Sequence, residues 1–283
     1  MPVARDLLHR AGADLNSGAE ARTLLAHVLG TDLHGLLLAD DVSGAEADAF
    51  AALVRRRLDG VPVQHLTGEA YFRTVRVEVG PGVFIPRPET EVMTGFALDR
   101  LAEVRAEGRP PVAVELCAGS GAISLAIATE APDVELHCVE LSEDAADYLR
   151  RNLAGTDVDI VVGDMAAAFT HLDGSVDVVV ANPPYIPLDS YGEVPADVRD
   201  HDPALALFSG PDGLDAMAVV ARVAARLLRP GGWVCAEHAD VQGESAPAVF
   251  LATDAYDRVT DHVDLNHRPR FTAARRSAGK MEP

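Results

Sequence analysis

Lysine is almost missing from this chain. A single one, Lys280, stands among 283 residues, and arginine carries nearly all of the positive charge. That bias carries no mechanism by itself. Cysteine is scarce as well: Cys117, Cys138 and Cys235 each lie in an apolar run that reads as a strand, and none belongs to a Cys-x-x-Cys pair. An odd, scattered set argues against a disulfide framework and for buried, reduced thiols in a reducing compartment. The ten histidines show no His-x-x-x-His or mixed Cys/His spacing, so no metal site is expected. Long apolar runs are missing too. None reaches the roughly 18 residues that a membrane span needs, and residues 1–6 lack the apolar segment of a signal peptide. A soluble, cytoplasmic protein with no membrane partner is expected.

Basic charge is the last shortage. The net charge is −20, whereas a protein that grips duplex nucleic acid draws much of its affinity from a basic surface. Stable nucleic-acid binding is therefore not expected, although a local basic patch would still allow it. What the chain has is apolar residues, 48% of the total. That is ample for a core, and the length suits one large domain with a small one.

Residues 1–62 read as a helical module. A short helix is expected over 3–11. The segment 19–29 places Ala21, Leu24, Leu25, Val28 and Leu29 on one stripe, and Gly30 ends it. Ser43 with Glu46 has capping-box spacing. The helix it opens carries Ala49, Phe50, Leu53, Val54 and Leu58 and stops at Gly60. Such a module would either cap a larger domain or recognise a substrate partner. Residues 63–86 read as a hairpin linker: a strand over 69–79, a turn at Gly80-Pro81-Gly82, and a second strand at 83–85. A helix over 89–106 follows. The polar Arg87, Thr90 and Glu91 at its start are either ligand contacts or an ordinary helix opening.

From Pro111 strands and helices alternate. Strands are expected over 112–117, 134–139, 158–162, 176–181 and 233–236, with two more near 256–263 and 271–275. Helices are expected over 122–129, from Ser142 to about 153, and over 213–228, the last closed by Arg229-Pro230-Gly231-Gly232. This alternation predicts an α/β fold with a parallel sheet covered on both faces. The large domain spans 87–276, and 277–283 is a loose tail.

The turn after the first of these strands is Cys117-Ala118-Gly119-Ser120-Gly121. Its glycines permit a sharp turn and close approach of a ligand. Glu140 ends the next strand, 19 residues after Gly121, close to the spacing for a carboxylate that holds a ribose diol. An adenosine cofactor is implied, although Glu140 alone could be a solvated strand-end acid. Ser124 stands where a dinucleotide fingerprint wants Gly or Ala. That weakens a pyrophosphate cofactor and favours S-adenosyl-L-methionine. Asp164 and Met165, after the third strand, are placed to touch an adenine, or are simply loop residues.

Asn182-Pro183-Pro184-Tyr185 follows the fourth strand. The two prolines stiffen the loop and leave carbonyls free of ladder duties. Asn182 adds a side-chain donor and acceptor, and Tyr185 a flat ring. The four can hold a planar –NH2 group and aim its delocalised lone pair at a methyl donor. The plain alternative is a Pro-rich turn.

These motifs occur in the order Phe84-Ile85-Pro86-Arg87-Pro88-Glu89-Thr90-Glu91, Gly119-Ser120-Gly121, Glu140, Asn182 to Ile186, Asp202-Pro203-Ala204-Leu205-Ala206-Leu207, Gly210 and Asp212-Gly213-Leu214. The chain thereby resembles the HemK/PrmC-type protein-(glutamine-N5) methyltransferases from about residue 7 to residue 275. The resemblance implies a class I, Rossmann-like seven-stranded methyltransferase domain behind an N-terminal helical domain. It implies methylation of the glutamine in the Gly-Gly-Gln loop of class-I peptide chain release factors. By the same likeness, Cys117 to Gly121, Glu140 and Met165 hold the cofactor, with Asp164 beside them. Asn182, Pro183, Pro184 and Tyr185 hold the glutamine amide, with Asn182 also near the donor methyl, and Asp202 orients the substrate loop. Glu115 and Glu140 replace the family's usual aspartates, Met165 an aromatic, and Glu237-His238-Ala239 a Glu-Ile-Gly ending. A ribosomal protein glutamine, adenine N6 in DNA, or no catalysis at all are the competing readings.

Overall fold

The computed structural model of the chain describes residues 2–278, apart from the side chains at 196 and 197. They divide into two compact units, residues 2–69 with 79–81 and 195–201, and residues 70–78 with 82–194 and 202–278. Within the first, helices Ala4–Asp14, Gly18–Val28, Leu33–Leu36, Gly44–Leu58 and Val63–Thr67 bury Leu24, Leu25, Leu36, Phe50, Val54 and Leu66. The Ser43 capping box forms: Ser43 Oγ accepts from Glu46 N–H at 3.2 Å, and Glu46 returns the bond to Ser43 N–H at 2.8 Å. Two residues of the expected stripe face outward, Ala49 and Leu58. Ala49 lies about 100° around the helix from the Phe50–Val54 line. The Val63–Thr67 helix occupies residues expected to be linker.

Next in the chain is a hairpin, β1 (Glu69–Phe72) and β2 (Val75–Glu78). Its turn lies at Arg73-Thr74, not at the expected Gly80-Pro81-Gly82. Arg73 takes φ 50°, and Glu91 accepts its N–H at 3.0 Å while Glu130 accepts from its guanidinium at 2.7 and 2.9 Å. A non-glycine residue is thus held at positive φ by partners distant in sequence. Val83 and Ile85 are buried without forming a strand; their apolar character reflects burial rather than pairing.

The main sheet contains β3 (Val112–Leu116), β4 (Glu135–Glu140), β5 (Asp159–Val162), β6 (Val176–Ala181), β7 (Leu228–Glu237), β8 (Tyr256–Val263) and β9 (Pro269–Arg276), ordered β5-β4-β3-β6-β7-β9-β8. It is mixed, because β9 runs antiparallel to both β7 and β8. The short connection from β8 to β9 makes a hairpin, whereas a parallel pair needs a long crossover. β7 starts earlier than expected. Arg229 to Gly232 does follow the end of helix Asp215–Leu227, as expected, and it also forms an outward loop within the strand, since Leu228 pairs with Val176 and Trp233 with Val178. Gly231 takes φ +82° there. Asp177, 1% exposed, accepts from Arg109 at 2.5 and 2.7 Å, from Val112 N–H at 2.9 Å, and from Arg229. It ties the starts of β3 and β7 to β6.

One face of the sheet packs Val114, Val179 and Val234 against Val220, Ala224 and Phe250 of helices Asp215–Leu227 and Ser245–Leu251. The second of these helices was not expected. It is seven residues long and holds Pro247, too little for a periodic signal. Strand order reverses beside β3, so β3 and β6 open the crevice at which open α/β sheets bind ligands. Ser277 donates its N–H to Ala255 O at 2.9 Å. The rest of the expected tail, from residue 279, lies outside the described residues.

Candidate active site

Leu116 pairs with Ala181 in the β3–β6 register. The two expected motifs therefore leave neighbouring strand ends side by side, Cys117 to Gly121 from β3 and Asn182 to Tyr185 from β6.

The loop after β6 is pinned by backbone first. Ile186 donates its N–H to Leu207 O at 2.8 Å, Ser209 to Ile186 O at 2.9 Å, and Leu188 to Gly210 O at 2.9 Å. This uses the segment around Asp202 to Gly210 as a brace. Gln242, 4% exposed, adds bonds from Nε2 to the Tyr185 and Asp212 carbonyls at 3.1 and 3.2 Å. Gly213 lies so close that a Cβ would strike Tyr185 O, and its φ is +78°. Glycine is required there on both counts. Asp202 is buried, and its carboxylate accepts from Arg87 at 2.5 Å. Arg87 also lies over the Phe84 ring, 5.0 Å from its centre.

The side chains of this loop converge on one carboxyl group. Asn182 Nδ2 donates to Thr90 Oγ1 at 3.3 Å, Thr90 Oγ1 donates to Glu237 Oε2 at 2.6 Å, and Tyr185 OH donates to Glu237 Oε1 at 3.4 Å. Glu237 is 1% exposed. Burial pushes its carboxyl up to about 7, against the pull of Thr90 and Arg270. Burial and the nearby Glu237 also hold the Tyr185 hydroxyl protonated well above the ordinary phenol range.

On the other side of the crevice, Gly119 N–H and Ser142 N–H donate to the two oxygens of Glu140 at 2.7 and 2.8 Å. Gly119 takes φ +56°, and a Cβ on it would meet nothing within 4 Å. Gly121, at φ +79°, has no such room, since a Cβ would lie 2.6 Å from Leu149. Ser120 O accepts from Asn152 at 2.8 Å, and Ala118 N–H donates to Val139 O at 3.0 Å. Cys117 is half-buried rather than buried. It ends the strand one residue earlier than expected by taking φ 60°, and its Sγ lies 3.7 Å from Met165 Sδ. Burial first, then the charges of Glu140, Glu115 and Asp164, keep that thiol protonated. Cys138 and Cys235 are buried. Asp164 is exposed, and its carboxylate accepts from Ala166 N–H at 2.8 Å.

This donor set fits S-adenosylmethionine. The carboxylates around the turn favour a cationic ligand and oppose a pyrophosphate, and the open side of Gly119 admits close approach. The structure thus gathers Cys117 to Gly121, Glu140 and Met165 into one cluster and Asn182 to Tyr185 into another beside it. Sequence reasoning missed Glu237 and Gln242 as partners of the loop and left Thr90 undecided. A polar residue inside an apolar strand end, Glu237, was the available signal. Among the described residues no cluster of His, Cys, Asp and Glu suits a metal, and no helix is long and apolar enough to cross a membrane.

The chain is similar to known proteins. The family described as PrmC N-terminal domain matches residues 3–68, and the methyltransferase small domain matches residues 76–190. The hMettl16 catalytic domain, solved with a MAT2A 3′UTR hairpin, superimposes with a TM-score of 0.55 at 13% identity, covering 87% of this chain and 86% of that one; this shows the methyltransferase fold alone. A 4-amino-L-phenylalanine/4-methylamino-L-phenylalanine methyltransferase of Streptomyces pristinaespiralis is 42% identical over 88% of this chain and 84% of its own. A release factor glutamine methyltransferase of Streptomyces coelicolor is 50% identical over 89% of this chain and 90% of its own. With half its residues shared along nearly the whole length, this chain belongs to the release factor glutamine methyltransferase family.

Proposed function

We propose that this chain methylates the side-chain amide nitrogen (N5) of a release factor glutamine, that of the Gly-Gly-Gln loop in class-I factors, in the cytoplasm. S-adenosylmethionine supplies the sulfonium methyl. Its adenosine is held by Cys117, Ala118, Gly119, Ser120, Gly121 and Glu140, with Asp164 and Met165 at the base, and Asn182 lies between cofactor and substrate. The single observation that carries the reading is the fixed Asn182 to Tyr185 loop beside that turn.

An amide nitrogen is a poor nucleophile because its lone pair is delocalised into the carbonyl. Asn182 Nδ2 is engaged with Thr90, so its Oδ1 is the end that accepts a substrate N–H. The Pro183 carbonyl accepts the second hydrogen, and the Pro184 and Tyr185 side chains pack on the amide plane. Holding both hydrogens favours a localised lone pair aimed at the methyl. The methylated amide cation loses its proton to water, so no strong base is needed. The helical unit over residues 1–62 supplies recognition of the release factor.

The test is transfer of labelled methyl from S-adenosylmethionine to purified release factor, with the product peptide mapped by mass spectrometry. One methyl on the Gly-Gly-Gln glutamine is expected, and Asn182→Ala should abolish it while cofactor binding persists. Transfer to a ribosomal protein, to DNA or to 4-amino-L-phenylalanine in its place would overturn the substrate. Normal turnover in Asn182→Ala would overturn the role of the loop.

A further inference from the structure

Two polar side chains of the substrate loop, Asn182 and Tyr185, are three residues apart, yet they reach opposite oxygens of one buried carboxyl group. Asn182 reaches it through Thr90 and Tyr185 directly. We infer that Glu237 is a positioning residue for the proposed transfer, fixing the flip of the Asn182 amide through the Thr90 hydroxyl and the tilt of the Tyr185 ring through its phenol. The inference rests on the reading of Asn182 as the amide's hydrogen-bond acceptor.

Hydrogen-bond direction couples the three groups. A carboxylate only accepts. Thr90 Oγ–H must then point at Glu237, which leaves its oxygen lone pairs for Asn182 Nδ2–H. An amide oxygen turned toward Thr90 would find no hydrogen there. Glu237 in this way decides which end of Asn182 meets the substrate. Thr90 is itself fixed: it is 3% exposed, and its carbonyl accepts from Thr94 Oγ1 at 3.0 Å. With Glu237 neutral, a proton on Oε2 is donated to Thr90 Oγ1, the direction of that bond reverses, and the preference at Asn182 is lost.

The charged groups facing Glu237 set where this happens. Arg270 favours the ionised form and Glu89 opposes it, while the Tyr185 phenol stays protonated. Arg270 is held by Asp264 at 3.1 and 3.2 Å. His238, next in the chain, is kept neutral chiefly by burial. Glu237 is thus the group of this cluster that titrates near neutrality.

The test uses the full chain with Thr90→Val, Thr90→Ser and Glu237→Gln. Thr90→Val keeps the shape and removes the hydroxyl. Its kcat should fall about 10- to 100-fold, the scale of a catalytic group left misaligned, with cofactor Kd within about threefold of wild type. Thr90→Ser should restore most of the rate. Wild-type kcat should decline as pH drops through about 7, and Glu237→Gln should lack that limb. Independently of activity, the Asn182 side-chain NH2 resonance, assigned by its loss in Asn182→Ala, should move with the same titration and stay still in Glu237→Gln. A wild type that methylates no release factor would sink the activity reading while the resonance still reports the relay. Unchanged kcat in Thr90→Val, or an Asn182 resonance indifferent to Glu237→Gln, would overturn the inference.

Discussion

Glu115 should make this protein lose stability as pH rises. It sits at the end of β3, 1% exposed, where it accepts from Ser124 N–H at 2.9 Å and from the Ser124 hydroxyl. Burial raises its carboxyl to about 8, and the two Ser124 bonds only partly oppose this. A folded-state value above the unfolded one contributes stability that is complete below the ordinary carboxyl value of 4.5 and is lost as pH climbs through about 8. The unfolded chain sheds this proton first, so each unit of pH between those values removes about 1.4 kcal/mol. The whole swing is about 5 kcal/mol, of which about 2–3 kcal/mol falls between pH 6 and 9. Glu115→Gln copies the neutral acid in shape and keeps an oxygen for Ser124. Urea unfolding of both proteins without cofactor, at intervals from pH 6 to pH 9, isolates the effect because every other titrating group is common to both. The wild type should fall behind the variant by the amount above. Curves that stay parallel within about 0.5 kcal/mol would refute the claim that the fold holds Glu115 neutral.

Two further outcomes follow from local geometry. Gly213→Ala puts a Cβ against Tyr185 O at a φ of +78°. The left-handed conformation costs about 1–2 kcal/mol and the strained Gln242 bond about 1 more, so urea unfolding should show a loss of about 2–3 kcal/mol, with kcat falling further than cofactor affinity. Ser43→Ala removes half of the capping box and should cost about 1 kcal/mol by thermal unfolding, with methyl transfer unchanged.

The sequence made β6 legible as a mainly apolar run that ends at the Asn182-Pro183-Pro184 turn. β6 and β8 begin and end as expected, and the capping box at Ser43 holds because its two bonds are local. Errors fell where tertiary contacts override local preference. The hairpin turn uses Arg73 at positive φ, stabilised by Glu91 and Glu130, while the more turn-like Gly-Pro-Gly segment makes no hairpin. Arg229 to Gly232 does follow the helix end at Leu227, but a buried aspartate on the neighbouring strand also draws Arg229 into the sheet, so β7 starts earlier than expected.

The site divides along the same line. The residues proposed to carry its chemistry were picked out because they sit in runs at strand ends, where backbone turns and side chains are specified together. The groups that hydrogen-bond to them were not, since Thr90 and Glu237 stand 147 residues apart and neither belongs to the run it contacts. Hydrogen-bond partners of this kind leave no periodic trace. What they leave is a polar residue where the pattern calls for an apolar one. Glu115, Asp177 and Glu237 are three acids beside apolar strand residues, and all three are 1% exposed. Each takes hydrogen bonds from groups outside its own strand. Burying a carboxyl without partners would cost several kcal/mol. An acid inside an apolar strand therefore announces long-range donors, and the search for the parts of an active site that motifs do not cover should begin there.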